Sequence, residues 1–177
     1  MKIKLVKDNN PIMRKRSLEV TLPLSPEDRN IIDSMLDYVI KSQDEEYSKK
    51  HNIRPGVGLA AIQIGQLKRM FVVHLDEEHS YQLVNPKIIE SSIKKAALEH
   101  GEGCLSVDKL HEGLVHRNYK IKMKAYDALK DEEIILTASG YLAIVLQHEY
   151  DHLDGRLFYD RIDKNNPFKP LVGEEII

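Results

Sequence analysis

The sequence of 177 residues has little of what stabilises secreted or membrane proteins, since it contains one cysteine and no long apolar run. The single cysteine, Cys104, cannot form an internal disulfide, so we expect a fold that needs no oxidising compartment and a cytoplasmic location. The longest apolar runs, such as Gly140 to Leu146, are too short to cross a bilayer. The first residues include lysines but no apolar segment with a small-residue cleavage site, so we expect no signal peptide.

Charge of one sign is not in excess either, because the formal net charge is −2 and the pI is near 6.4. This balance gives no electrostatic argument for a nucleic-acid or membrane partner. Hydrophobic residues make up 42% of the chain and charged residues 31%, which is typical of a soluble globular protein. No repeat or low-complexity tract interrupts the sequence, so we expect residues 1–177 to form one domain.

Two helices are predicted. Ser25 and Pro26 are a typical N-cap and first helical residue, and apolar residues then recur on one helical face up to about Glu46. A second helix is predicted from about Ser139 to Leu153, with Gly155 in the position of a left-handed terminator. Its stretch YLAIVL is apolar all round, which indicates a buried helix.

Strand patterns dominate the region between the two helices. The predicted strands are Met70 to Leu75, Tyr81 to Val84, Lys87 to Ile93, Val115 to Ala125 and Glu132 to Leu136. In the fourth strand Arg117 interrupts the apolar face, so this arginine needs a partner. The order of elements predicts an α+β fold in which a central metal-binding helix is surrounded by antiparallel β-sheets, with an N-terminal helix outside.

The predicted second helix contains the pattern His148-Glu149-x-x-His152. Residues four apart lie on the same face of a helix, so both imidazoles can bind one metal ion. Two histidines and a glutamate in a buried helix are costly without partners, and a shared metal ion removes that cost. A catalytic site of this type has three protein ligands and leaves one position for water.

The third ligand is not given by this pattern itself. Phe158 stands where one known arrangement has a third histidine, and Glu174 and Glu175 lie in a tail that we expect to fray. The stretch HGEGCLSV, with Cys104, is the best source, because a thiolate and two imidazoles suit a first-row transition metal. The competing histidines outside the motif are His100, His111 and His116.

Three short motifs together resemble the peptide deformylases. They are GVGLAAIQ from Gly56 to Gln63, EGCLS from Glu102 to Ser106, and QHEYDH from Gln147 to His152. Their order and spacing fit the family over nearly the whole chain. The first motif could also suggest dinucleotide binding, but Arg54 and Pro55 precede it and Gly65 ends any helix that follows, so we reject that interpretation.

The resemblance implies removal of the formyl group from the N-formylmethionine of nascent polypeptides, with release of formate. It implies Cys104, His148 and His152 as ligands to a divalent metal, most often Fe(II), although Zn, Ni and Co also accept this set. A metal-activated water would attack the formyl carbonyl, with Glu149 as general base and acid. The implied partners are formylated nascent peptides, met transiently at the ribosome.

The resemblance also implies roles for the residues around the metal. Gln63 and the backbone N–H of Leu105 would stabilise the oxyanion, and Arg117 would pair with the glutamate of the second motif. The implied substrate-binding residues, which include the methionine pocket and the backbone partner of the peptide, are Val57, Gly58, Glu102, Tyr141, Ile144 and Val145.

Two positions depart from the family pattern, because Ile62 and His116 stand where proline is common. Neither supplies a ligand or a proton. The lead-in HNIRPGVGLAA, the short tail and the insertion around Asp44 to His51 resemble the Gram-positive and mycoplasma branch. Two alternatives stay open, a small zinc endopeptidase with the same H-E-x-x-H chemistry and a non-catalytic metal- or peptide-binding module.

Overall fold

The computed structural model describes all residues from 1 to 177 and shows an α+β fold, as predicted. The helices are α1 (Pro26–Gln43), α2 (Glu45–His51) and α3 (Gly140–Leu153). The strands are β1 (Gly58–Ala60), β2 (Met70–His74), β3 (Ser80–Ser91), β4 (Lys95–Ala97), β5 (Arg117–Asn118), β6 (Lys120–Asp127), β7 (Glu132–Ser139) and β8 (Glu175–Ile176). None of the helices combines the length and apolar character that crossing a membrane requires.

The strands form two sheets with α3 between them. The larger sheet has the order β1-β2-β3-β6-β7 with every neighbouring pair antiparallel, and the smaller has the order β5-β4-β8. Helix α3 contacts strands of both sheets, whereas α1 packs mainly on β1, β2 and β3. The predicted arrangement of a central helix surrounded by sheet is therefore confirmed.

Each face of the larger sheet carries its own apolar cluster, because successive side chains of a strand point to opposite sides. Along β2, Met70 and Val72 join the cluster under α1, and Phe71 and Val73 join the cluster under α3. We call these sides the α1 face and the α3 face. The buried residues that α1 contributes to its face are Ile31, Ile32, Met35, Leu36 and Val39. The helical periodicity of the sequence predicts this set together with Ile40, which is wrong for Ile40 because its side chain is 43% exposed.

The N-terminal helix differs from the prediction at its end. Ser25 is the N-cap as predicted, and its hydroxyl oxygen accepts a hydrogen bond from the Asp28 N–H at 3.1 Å. The helix stops at Gln43, because Asp44 is extended and its carboxylate caps a separate helix, accepting from the Tyr47 N–H at 2.6 Å. A capping residue inside the predicted helix therefore divides it into α1 and α2.

The strand boundaries differ from the prediction at two places. The sequences before and after Asn85-Pro86 form one strand, β3, in which the pairing with β6 shifts register at this point and Asn85 has a φ of 50°. The segment from Val115 to Ala125 is instead divided between β5 and β6, which lie in different sheets. The sequence analysis did not identify β1, β4 or β8.

The prediction that the C-terminal tail frays is wrong. Strand β8 pairs in parallel with β4, and the Ile177 N–H donates to the Ala97 carbonyl at 2.9 Å. The buried Glu174 carboxylate contacts His116 Nδ1 at 2.7 Å. The tail is therefore tied to the strand that leads into the second motif, and His116 is occupied by this contact.

Candidate metal centre

The predicted ligands come together from α3 and the loop after β4. His148 and His152 are one helical turn apart, with ring centroids 5.0 Å from each other. Cys104 Sγ lies 3.4 Å from His152 Nε2. One ligand atom from each of these three residues lies within 4.8 Å of the others, and no other group of three such side chains is found in the molecule. The competing histidines do not join the cluster.

The chemistry of these three residues fits a transition-metal ion. A sulfur and two imidazole nitrogens are a usual ligand set for such an ion, and the histidines must be neutral to bind. Burial lowers the pKa of His152 well below its usual value, which keeps that ring neutral. His148 presents Nε2 to the cluster because Glu102 Oε2 holds its Nδ1 at 2.7 Å. A carboxylate behind a ligating histidine is the common way of fixing the ring.

A chain of ion pairs extends from His148 into the core. Arg117 donates to both oxygens of Glu102, at 2.5 and 2.9 Å, and its third nitrogen donates to Asp151 at 2.9 Å. Arg161 in turn donates two hydrogen bonds of 2.6 Å to Asp151. Arg117 and Glu102 are almost completely buried, with side chains 1% exposed. The partner that Arg117 needs is thus Glu102, as predicted, together with Asp151.

The network keeps Glu102 ionised despite its burial. Loss of water would raise the pKa of this carboxyl, but the charge and hydrogen bonds of Arg117 and the contact with His148 outweigh it and hold the pKa at about 2. The carboxylate therefore remains an acceptor for His148 at neutral pH. Both oxygens have partners within the protein, and one of these contacts orients His148; substrate binding by Glu102 stays a prediction.

Glu149 lies next to the ligands with a free oxygen. Its side chain is buried, and Oε2 has no hydrogen-bond partner in the protein. Burial raises its pKa to about 7, so this carboxyl can take up and release a proton near neutrality. A Cβ atom at Gly58 would collide with the Glu149 carboxylate. Gly58 of the first motif has to be a glycine because the Glu149 carboxylate occupies the space that a Cβ atom would need.

The orientation of Gln63 is fixed by its neighbours. Its Oε1 accepts from the Ala60 N–H at 2.8 Å, which turns Nε2 towards the second motif. Nε2 donates to Ser106 Oγ at 3.1 Å and to Cys104 Sγ at 3.4 Å. Because sulfur is the weaker acceptor, the hydrogen directed at Cys104 is the one that a substrate oxygen can share.

The ligands open into a cleft of about 300 Å³. Its wall contains Cys104 and His148, and His152 lies behind it, almost completely buried. All the residues that the resemblance assigned to catalysis and substrate line this cleft: Val57, Gly58, Gln63, Glu102, Leu105, Tyr141, Ile144, Val145 and Glu149. The apolar residues among them are Val57, Leu105, Tyr141, Ile144 and Val145.

The sequence analysis missed three residues that support the site. Asp151 and Arg161 complete the ion-pair chain behind the ligands, and Ser106 receives the Gln63 amide. A second acid beside His152 in an otherwise apolar helix was a signal that could have identified Asp151. Nothing in the sequence indicates that Arg161 reaches this acid.

Comparison with other sequences gives one family. The family model described as Polypeptide deformylase matches residues 2–168. Peptide deformylase of Macrococcus caseolyticus is 49% identical over 170 residues, covering 93% of this chain and 92% of that protein. Peptide deformylase 2 of Bacillus anthracis is 46% identical over 175 residues, covering 97% of this chain and 95% of that protein. Such relatives are mostly from Gram-positive bacteria, as the sequence predicted.

Solved structures agree with this result. A peptide deformylase from Plasmodium falciparum is 32% identical, with a TM-score of 0.75. The match covers 92% of this chain and 88% of the Plasmodium chain. The peptide deformylase from Thermotoga maritima is 29% identical, with a TM-score of 0.73. The match covers 92% of this chain and 99% of the Thermotoga chain.

Proposed function

The chain belongs to the polypeptide deformylase family of metal-dependent hydrolases that remove the N-formyl group from nascent peptides, and we propose that Glu149 is the general base and acid of its reaction. The observation that carries this assignment is the free, buried Oε2 of Glu149 beside the Cys104, His148 and His152 cluster. Glu149 takes a proton from the attacking water and later donates it to the departing amine. Formate and a free amino terminus result.

For the metal we propose Fe(II), held by Cys104, His148 and His152. When bound, a divalent ion supplies Lewis-acid activation of water and of the carbonyl group. The soft sulfur and the two imidazoles favour a first-row transition metal over Mg²⁺ or Ca²⁺, and zinc, nickel and cobalt suit the same ligands. Glu102 and Arg117 keep His148 in the orientation that binding requires.

The negative charge that develops on the formyl oxygen needs donors in the cleft. We assign this role to the Leu105 N–H, which has no acceptor in the protein, and to the Gln63 amide. Loss of one such donor typically costs about 2.7–4 kcal/mol of the barrier. The Oε1 of Gln63 is occupied by Ala60, so only N–H groups of this side chain are available to the substrate.

The substrate is bound along the cleft. The apolar lining residues Val57, Tyr141, Ile144 and Val145 suit an unbranched apolar side chain such as methionine. Gly58 lies in β1, at the edge of the larger sheet, where the backbone of an extended peptide can add as a further strand. We propose that the deformylation acts on nascent chains at the ribosome, in the bacterial cytoplasm. We also propose that residues 1–177 act as one catalytic domain.

The test is formate release from a formyl-Met peptide by anaerobically purified protein, with metal content measured on the same sample. We expect Glu149→Gln to retain the metal and lose about 10²–10⁴-fold in kcat. Near-normal kcat in this variant would refute the role of Glu149. Cleavage of internal peptide bonds without formate release would instead support the zinc endopeptidase, and metal binding without any turnover would support a binding module.

A second variant tests the ligand set. Cys104→Ser replaces the sulfur by an oxygen in nearly the same position, so we expect weaker iron binding and lower activity in proportion. If the variant binds iron as tightly as the parent protein, Cys104 is not a ligand.

A further inference from the structure

Arg54 lies at the rim of the cleft and contacts the loop that contains Cys104 and Leu105. Its Nη2 lies 3.1 Å from the carbonyl oxygen of Cys104, 3.0 Å from that of Leu105 and 3.1 Å from that of Val107. One guanidinium nitrogen is thus shared by three backbone carbonyls of a single tight turn. This is an unusual use of an arginine whose side chain is 52% exposed.

The contact with Cys104 has a consequence for the next residue. The carbonyl of Cys104 and the N–H of Leu105 belong to one peptide unit, which is planar and trans, so the two groups point in opposite directions. A carbonyl held towards Arg54 therefore directs the Leu105 N–H away from Arg54. That N–H has no backbone or side-chain acceptor in the protein, and Leu105 lines the cleft.

We propose that Arg54 is a positioning residue for the oxyanion donor. The Val107 N–H also donates to the Cys104 carbonyl, at 3.1 Å, so Arg54 and this turn contact fix the plane of the Cys104–Leu105 peptide together. By drawing further electron density to the carbonyl, the Arg54 cation makes the Leu105 N–H a stronger donor. Arg54 touches neither the metal ligands' side chains nor the reacting atoms. The inference rests on the proposed role of the Leu105 N–H in deformylation.

A second cation on the same loop provides a matched control. Lys7 Nζ contacts Asp108 at 2.7 Å and the Leu105 carbonyl at 3.4 Å. The Leu105 carbonyl belongs to the following peptide unit, so Lys7 does not hold the plane that carries the Leu105 N–H. Arg54 also contacts Asp108, at 3.2 Å, and both ion pairs are largely exposed. If Arg54 only anchored the loop through Asp108, removal of either cation should have the same small effect.

The test compares Arg54→Met, Arg54→Lys and Lys7→Met, all loaded with metal. We expect Arg54→Met to lower kcat per bound metal about 10-fold with little change in KM, a part of the cost of losing an oxyanion donor outright. Arg54→Lys keeps a cation near the carbonyls and should recover part of this loss. Lys7→Met should change kcat by less than about 2-fold, as expected for an exposed ion pair.

The outcomes separate this inference from the proposed function. If the parent protein releases no formate, the proposed function fails. If the parent is active but Arg54→Met and Lys7→Met have equal kcat per bound metal, the positioning role of Arg54 is wrong. A loss of metal or of thermal stability in Arg54→Met, with unchanged kcat per bound metal, would also overturn it, because Arg54 would then act on the loop as a whole.

Discussion

The two faces of the larger sheet share the same strands but differ in the side chains that they bury. The α1 face is covered by a helix whose inward side chains are nearly all aliphatic or methionine, and it contains no ion pair as deeply buried as that of Arg117. The α3 face has an apolar cluster too, but its helix also carries the two histidines, Glu149 and Asp151. We expect the α1 face to contribute to stability through apolar burial alone, and the α3 face to combine apolar burial with buried charges that must be held by partners.

The strongest way to test this comparison is to remove the central cation of the α3 face. Arg117→Met leaves Glu102 and Asp151 buried without their shared partner, so we expect the free energy of unfolding to fall by about 3–5 kcal/mol. His148 also loses its oriented carboxylate, which typically costs about 10–100-fold in metal affinity. Urea denaturation and chelator competition measure the two effects. A variant as stable as its parent would show that the ion-pair chain adds nothing to folding.

The matching change on the α1 face is Met35→Ala. Met35 is completely buried under α1, so the lost contacts and the remaining cavity should cost about 3 kcal/mol in unfolding free energy. Because Met35 is on the other side of the sheet from the ligands, metal content should not change, whereas Leu105 belongs to the same apolar cluster, so we expect a small fall in kcat. Denaturation and metal analysis on one preparation provide the comparison. A loss of metal would show that the faces are coupled.

Gln63→Leu is the complementary change, at the site itself. It keeps the size of the side chain and removes the donor, so we expect kcat to fall about 10²-fold, equivalent to about 2.7 kcal/mol of barrier. Metal content should be little affected. An effect on KM alone would contradict stabilisation of the transition state.

The smallest expected effect is the acid sensitivity of the α1 face. Burial raises the pKa of Asp28, but hydrogen bonds from Lys68 and Ser25 outweigh it and leave the pKa below its usual value. A lowered folded-state pKa contributes stability above the unfolded value, near pH 4, which is lost as the pH falls through the folded value. Asp28→Asn should therefore cost less than about 1 kcal/mol at pH 7, and this cost should shrink as the pH falls below about 4. A cost that does not depend on pH would rule out the charge of Asp28 as the cause.

The helical side of the α1 face could be predicted almost completely from the sequence, but the contribution of β1 to this face could not. The spacing of Ile31, Ile32, Met35 and Val39, together with the Ser25 cap, depends on local periodicity, which a sequence displays directly. The exact end of α1 could not be predicted, because the capping contact of Asp44 with Tyr47 competes locally with continued helix.

Individual site residues on the α3 face could be predicted from the sequence, but the contacts between them could not. The i, i+4 histidines define a possible site, and the resemblance adds Cys104. The contacts Asp151 to Arg161, Gln63 to Ser106 and β8 to β4 join residues brought together only by folding. Strand β8 has two residues, and no periodicity can identify so short an element.

The hydrogen bond from the Ala60 N–H to Gln63 Oε1 has a further consequence. A carboxamide has almost the same outline whichever way round it sits, yet one end attracts a growing negative charge and the other repels it. A single main-chain contact in the loop after β1 removes that ambiguity before any peptide arrives. The direction in which the Gln63 amide presents its N–H groups to the cleft is thus set by the backbone rather than by the ligand.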